Sequence, residues 1–467
     1  MPVSTGLQRL FSVTLLIALL WPGLGLAQDS KAPHDVPAVR DAQLSPAYWI
    51  KRQRQPYAVV LDVERIAEQN ARMQASEPSL HDIEGLPATL EAEQVRAWIE
   101  SLSAKPERTL YDETGKAGSP RTIDSIVANL ALKSIPHSQV TRYGMVVRRA
   151  DLRKFPSRSR MFNRPGDTDI DRFQESALFP GTPVAIVHES RDRAWYFVVS
   201  NRYAAWIEKQ HVAEGDKQAI FAHGRKTPYV VVTGATARTV YTPERPEVSE
   251  LQLDMGVRVP LLADWPGDGP VNGQHPYINH VIELPLRTRE GALAFVPALL
   301  PRTADVSDDY LPLTRANLLR QSFKFLGERY GWGHAYNARD CSGFVSEVYR
   351  SFGVQLPRNT RDQSVSPALN RLELAPSLDH EQRLKLLRDT QVGDLIYIPG
   401  HVMMVIGHED GLPYVIHDIH GMTYRRPDGT VHRLALNGVV VTPVLPMLFD
   451  ENTRTVDRIT NIQRIRP

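Results

Sequence analysis

Short apolar runs separated by turn residues dominate the middle of this 467-residue chain. The first group lies at 143–207 and includes Met145-Val146-Val147 and Trp195-Tyr196-Phe197-Val198-Val199. Runs of this length, broken by Gly and Pro, are typical of strands in small antiparallel barrels rather than of long helices. A second group at 229–296 shows the same alternation of short apolar runs and turn residues, but with a different sequence. The pattern therefore predicts two small β-barrels in succession.

Helical spacing appears on both sides of these runs. Before them, apolar residues recur at helical intervals after Asp62 and again after Thr89, which predicts a mainly helical N-terminal module. After them, helical and strand-like patterns alternate, which predicts an α+β domain. The predicted fold is a multidomain α+β chain, with boundaries at 1–27 (signal peptide), 28–140 (helical domain), 141–226 and 227–303 (barrels) and 304–467 (α+β domain).

The first 27 residues have the pattern of a secretory signal peptide. Arg9 precedes an apolar run from Leu10 to Trp21, and the small residues Gly25-Leu26-Ala27 follow. The run is short for a membrane span, although an uncleaved anchor remains the alternative. We predict an exported protein, periplasmic or secreted, with no stable membrane span after processing.

The charge of the chain gives no sign of a nucleic-acid partner. The net charge is +2, and no basic run with interleaved aromatic residues occurs. We therefore expect no nucleic-acid partner.

Cys341 is the only cysteine, so the chain cannot form an internal disulfide. Asp340 before it is a good helix N-cap, and the residues after it have helical spacing. This pattern places the thiol in the first turn of a helix, where the positive end of the helix dipole favours thiolate. An exported chain with one thiol so placed predicts a cysteine nucleophile.

A thiol nucleophile needs a base, and two histidines occupy neighbouring predicted strands. If residues 407–411 form the loop, His401 lies opposite His417, so that one could contact the thiol and the other orient it. A loop one residue longer would put Asp418 opposite His401 instead. His408 in the loop is a weaker candidate.

Zinc is the competing use for one cysteine and several histidines. His417 and His420 are three residues apart, but on a strand their side chains point to opposite faces. We predict no metal and no organic cofactor.

Five motifs follow one another in the last third of the chain: Tyr330-Gly331-Trp332-Gly333, Asp340-Cys341-Ser342-Gly343-Phe344, Leu356-Pro357-Arg358-Asn359-Thr360, Gly393-Asp394-Leu395 and His401-Val402. Their order resembles that of the NlpC family of papain-like peptidases. The segment 143–213, with Trp195-Tyr196-Phe197-Val198 and Trp206-Ile207, resembles bacterial SH3-like domains found beside cell-wall hydrolases. The resemblance to the NlpC family implies a catalytic set of Cys341, His401 and His417, with Tyr330 helping to bind the oxyanion. It also implies cleavage of γ-D-glutamyl bonds to a diamino acid in peptidoglycan stem peptides. One departure is His334, where many members have glycine.

The domain order resembles the subgroup that cuts free muropeptides after L-Ala-γ-D-Glu. That resemblance implies that Asp340 and Ser342 help hold the substrate's free amine, with Tyr203 and Glu175 of the first SH3-like domain as further contacts. An anion at Asp340 would also oppose thiolate formation, so we expect the substrate ammonium to compensate it. The alternative is a catalytically silent wall-binding protein that uses its SH3-like domains as modules.

Overall fold

The computed structural model describes residues 36–426 and 428–466. The predicted signal peptide therefore lies outside the described residues. Among the described residues, no helix is long and apolar enough to cross a membrane.

The stretch before residue 141 contains short helices and short strands. They are α1 (Pro46–Ile50), β1 (Val59–Leu61), α2 (Val63–Ser76), β2 (Thr89–Glu91), α3 (Ala92–Leu102), α4 (Pro120–Ala128) and β3 (Ser138–Val140). A separate helical module is not confirmed, because these helices bury their apolar faces in two different cores. Trp49 and Met73 pack into the core of the C-terminal domain, whereas Val95 and Ile99 pack against the strands that follow.

The first β region forms one seven-stranded antiparallel sheet with the order β10-β4-β7-β8-β9-β5-β6. Its strands are β4 (Arg142–Val146), β5 (Ala150–Arg153), β6 (Gln174–Leu178), β7 (Pro183–Glu189), β8 (Trp195–Val199), β9 (Ala204–Glu208) and β10 (Val212–Gly215), and α5 (Lys217–His223) follows. The prediction of a small barrel is wrong: the strands form an open sheet, and each of its edge strands contacts another part of the chain. Trp332 Nε1 donates to the Gln174 carbonyl at 3.2 Å, and Arg287 Nε donates to the Val212 carbonyl at 3.0 Å.

The second β region is also not a barrel. Its strands are β11 (Tyr229–Val232), β12 (Thr236–Arg238), β13 (Gln252–Asp254), β14 (Arg258–Pro260), β15 (Asn279–Arg287), β16 (Leu293–Pro301) and β17 (Val306–Ser307). They form three small sheets, β14-β11-β17, β12-β13 and β15-β16. Between β14 and β15, residues 261–278 contain three prolines and three glycines, which interrupt strand pairing.

The C-terminal domain is α+β, as predicted. Its elements are β18 (Leu313–Thr314), α6 (Arg315–Phe323), α7 (Cys341–Arg350), α8 (Thr360–Val365), β19 (Asn370–Glu373), α9 (His380–Arg388), β20 (Leu395–Ile398), β21 (His401–Glu409), β22 (Leu412–Ile419), β23 (Met422–Arg425), β24 (Val431–Leu434), β25 (Gly438–Pro443), β26 (Met447–Leu448) and β27 (Asn461–Arg464). A six-stranded sheet has the order β19-β27-β20-β21-β22-β25. Phe344 and Val348 of α7 share one apolar core with Val402 and Ile416. This packing holds α7 against the strands that carry His401 and His417.

Candidate active site

Cys341 is the first residue of α7, and the Asp340 carboxylate caps the helix by accepting the Gly343 N–H at 2.8 Å. The predicted placement of the thiol is confirmed. The thiol is 5% exposed, and its sulfur lies 3.5 Å from the Thr360 hydroxyl. Burial raises the pKa of Cys341 to about 12; Asp340 raises it further, while hydrogen bonds from Thr360 and from the Val402 backbone oppose the rise. The helix terminus alone does not yield a thiolate, so the thiol needs a base.

His401 and His417 form that part of the site. His401 begins β21, and its Nε2 lies 2.8 Å from Nδ1 of His417 in β22. His417 is fully buried. Burial lowers the pKa of His401 to about 4, and burial and His401 lower the pKa of His417 well below its usual value. Both rings are therefore neutral near pH 7, and a neutral ring can accept a proton.

The two histidines meet through a register other than the predicted one. The strands β21 and β22 pair from Glu409 with Leu412 to Met404 with Ile416, with an irregularity between Val405 and Gly407. The hairpin loop is therefore two residues long, so the pairing is shifted by three residues next to the loop, and the irregularity reduces the shift to two at Met404 and Ile416. A shift of two keeps every side chain on its original face of the sheet, so diagonal neighbours can still touch.

Asp418, the alternative partner of His401, is fully buried. Neither of its carboxylate oxygens has a hydrogen-bond partner among the described residues. Burial, reinforced by Asp340 and Glu328, raises the pKa of Asp418 well above its usual value. Burial therefore favours the neutral form of this side chain, and the hydrogen bond of His401 goes to His417. His420, which was considered with His417 as a zinc ligand, has its Nε2 3.2 Å from Asp169 Oδ2.

Asp340 already has a cationic partner. Arg358 Nη2 lies 2.8 Å from its Oδ2, and the Ser342 hydroxyl donates to its Oδ1 at 3.1 Å. Burial alone would raise the pKa of Asp340, but Arg358 and His334 lower it to about 2. The expectation that the substrate ammonium must compensate Asp340 is therefore wrong. Arg358 was missed as a partner because its motif gave no sign of which carboxylate it meets.

His334 is held in place by hydrogen bonds at both ring nitrogens. It has φ of 63°, in the left-handed region that favours glycine. Its ring is buried, with Nδ1 accepting from Arg358 Nη2 at 2.7 Å and Nε2 lying 3.0 Å from Glu347 Oε1. Gly343 leaves room for this ring, since an added Cβ there would lie 2.4 Å from His334 Cε1. These two hydrogen bonds compensate for the left-handed backbone.

The first β region brings Glu175 and Tyr203 toward Asp340. The Tyr203 hydroxyl donates to Glu175 Oε2 at 2.6 Å, and burial raises the pKa of each residue. The neighbouring Ser176 hydroxyl accepts from Arg358 Nε at 2.6 Å. Glu175 Oε1 has no hydrogen bond to any residue that the structure describes. One carboxylate oxygen therefore remains available on this side of the site.

Tyr330 lines a cavity of about 680 Å³ together with His401 and His417. It is 7% exposed. Burial, and then Cys341 and Asp340, raise its pKa well above the usual value. The phenol therefore stays protonated and can donate a hydrogen bond to an oxyanion. The cavity extends from the histidines to Arg433, which leaves space for a leaving group.

Comparisons with known proteins identify two domains of the chain. The model of the NlpC/P60 family matches residues 327–439, and the model of the SH3 domain (SH3b1 type) matches residues 160–208. The chain carries an NlpC/P60 domain and an SH3b domain.

Two individual proteins are similar to this chain over long stretches. A γ-D-glutamyl-L-lysine dipeptidyl-peptidase of Bacillus cereus (strain ATCC 10987 / NRS 248) is 26% identical over 261 residues, or 51% of this chain. The match spans 66% of that relative, just under two thirds of its length. An NlpC/P60 endopeptidase from Photobacterium damselae subsp. piscicida superposes with a TM-score of 0.69 at 18% identity, covering 85% of this chain and 90% of that one. The superposition shows a shared fold.

Proposed function

We propose that the protein is an exported cysteine endopeptidase that hydrolyses γ-D-glutamyl-diamino acid bonds in peptidoglycan stem peptides. The observation that carries this proposal is the pair His401–His417, 2.8 Å apart, on two strands that share an apolar core with the helix that begins at Cys341. Peptidases of the NlpC/P60 family are cysteine peptidases. The B. cereus relative, a γ-D-glutamyl-L-lysine dipeptidyl-peptidase, supports the bond type.

The proposed reaction uses a neutral thiol and a neutral base. Sγ of Cys341 attacks the amide carbonyl carbon while Nδ1 of His401 removes the thiol proton, because Nε2 is engaged by His417. Tyr330 donates a hydrogen bond to the oxyanion of the tetrahedral intermediate. The C–N bond then breaks, and His401 gives its proton to the leaving amine. Water, deprotonated by His401, hydrolyses the thioester and restores the thiol.

We further propose a preference for a free N-terminal L-Ala. In this proposal Glu175, whose Oε1 is available beside Tyr203, is the main contact of the substrate ammonium. Asp340 and Ser342 remain proposed contacts, but Arg358 occupies both. An ammonium at Glu175 would also offset the unfavourable burial of that carboxylate.

The experiment is incubation with L-Ala-γ-D-Glu-diaminopimelate, with its amine free or acetylated, followed by mass spectrometry of the products. The wild type should release the diamino acid, and Cys341→Ala should not. Acetylation should lower kcat/KM by about tenfold or more, because a charge-assisted contact contributes roughly 1.5–3 kcal/mol. Glu175→Gln should remove most of that difference.

Glu189→Gln is the matched control, since this carboxylate lies in the same sheet but pairs with Lys209. No release by the wild type would refute the peptidase and favour the silent wall-binding protein. Equal cleavage of the free and acetylated peptides would refute only the preference for a free amine.

A further inference from the structure

A line of hydrogen bonds extends from His401 through the neighbouring strands. His417 Nδ1 lies 2.8 Å from His401 Nε2, and His417 Nε2 lies 3.0 Å from the hydroxyl of Thr442 in β25. The Thr442 hydroxyl lies in turn 3.5 Å from Sδ of Met447 in β26. His417 and Thr442 are fully buried, and Met447 is nearly so.

The Met447 sulfur determines which group donates and which accepts in each hydrogen bond of this line. A thioether can accept a hydrogen bond but cannot donate one, so the Thr442 proton points toward Met447. The Thr442 oxygen then accepts from Nε2–H of His417. Because the neutral ring of His417 carries one proton, its Nδ1 has none and accepts from Nε2–H of His401.

The direction decides whether His401 can act as a base. With its proton on Nε2, His401 has a lone pair on Nδ1, the nitrogen that His417 does not contact. In the reverse direction Thr442 would donate to His417, His417 would donate to His401, and the proton of His401 would sit on Nδ1. That tautomer could not accept the thiol proton.

We propose that Thr442, oriented by Met447, is a positioning residue that holds His401 in the tautomer that accepts the thiol proton. The inference rests on the proposed function for its catalytic consequence but not for the tautomer itself. Thr442 follows three valines in β25, so its hydroxyl is a polar group in an otherwise apolar run. The buried Nε2–H of His417 would have no acceptor without it.

The test compares Thr442→Val, which keeps the shape and removes the hydroxyl, with Thr442→Ser, which keeps the hydroxyl. Thr390→Val is the matched control, since Thr390 is a buried threonine 3.2 Å from His408 Nε2. The full chain is labelled with ¹⁵N-histidine, and the ring nitrogen shifts are assigned with His401→Gln and His417→Gln.

In the wild type we expect His401 and His417 to be protonated at Nε2. Thr442→Val should move both rings toward the Nδ1-protonated tautomer and lower kcat about 10- to 100-fold with KM little changed. Thr442→Ser should have the wild-type tautomers and a kcat close to wild type, and Thr390→Val should change neither the tautomers nor kcat.

A wild-type His401 protonated at Nδ1, or unchanged tautomers in Thr442→Val, would overturn the inference. The shifts need no substrate. If the wild type cleaves no γ-D-glutamyl peptide, the proposed function fails while the tautomers still decide the inference.

Discussion

Replacing Asp254 by asparagine tests how the second β region supports the active site. Asp254 is fully buried at the end of β13, and its Oδ1 lies 2.6 Å from Arg339 Nη2 and 3.4 Å from Arg149 Nε. Arg339 is also fully buried and directly precedes Asp340 and Cys341 in the chain. Asp254→Asn keeps the shape of the side chain and removes the charge that faces two guanidinium groups.

The expected cost follows from burial. Removing one partner of a buried ion pair costs roughly 3–5 kcal/mol, because the remaining charge is left without compensation. Two features favour the lower end of that range. Arg339 keeps Glu347 and Glu328, each at 2.9 Å. In addition, burial raises the pKa of Asp254 despite the two guanidinium groups, so desolvation offsets part of the attraction. We therefore expect a loss of about 3 kcal/mol in the free energy of unfolding.

The assay is urea unfolding at pH 7, followed by the fluorescence of the seven tryptophans. Glu214→Gln is the control, because Glu214 and its partner Arg142 are each 40% exposed and such pairs contribute about 0–1 kcal/mol. A domain with a stability of about 5–15 kcal/mol would remain folded in both variants. If Asp254→Asn lowers the free energy of unfolding no more than Glu214→Gln does, the ion pairs of Asp254 do not stabilise the fold.

Two further predictions concern the site itself. His401→Ala should lower kcat far more than His408→Ala, and His417→Ala should lie between them, about 10²–10⁴-fold below wild type; a larger loss in Asp418→Asn than in His417→Ala would contradict the observed hydrogen bond. Asp340, with its pKa lowered from 3.8 to about 2, should contribute about 2.5 kcal/mol of stability above pH 4 and lose it as the pH falls toward 2. Urea unfolding between pH 2 and 6 should show this loss in the wild type and not in Asp340→Asn; equal pH dependence in the two would refute it.

The parts of the site that local sequence determines were predictable. The cap at Asp340 and the helical spacing after Cys341 involve residues within one or two turns, and the structure has both. The strands that carry His401 and His417 were also predictable from short apolar runs. Their register was not, because neither the two-residue loop nor the irregularity between Val405 and Gly407 leaves a clear pattern in the sequence.

Contacts between distant segments could not be predicted. Arg358 meets Ser176 only because the first β region packs on the catalytic domain, and it meets Asp340 from a loop 18 residues further along the chain. The same packing places Trp332 against β6, an edge strand of the open sheet. Strand patterns indicate how many strands a region has, but not whether another part of the chain covers its edges.

The pKa values of Cys341 and His401 indicate when the thiolate forms. With pKa values of about 12 and about 4, moving the proton from sulfur to imidazole costs ~11 kcal/mol before the two charges attract each other. For two unit charges about 4 Å apart, attraction would return about 4 kcal/mol at an effective dielectric constant of about 20. The neutral pair is therefore the resting state, and the thiol loses its proton as sulfur attacks the carbonyl carbon. Proton transfer at that moment requires a lone pair on His401 already facing the thiol, so the orientation of its hydrogen bonds matters more than a stored thiolate.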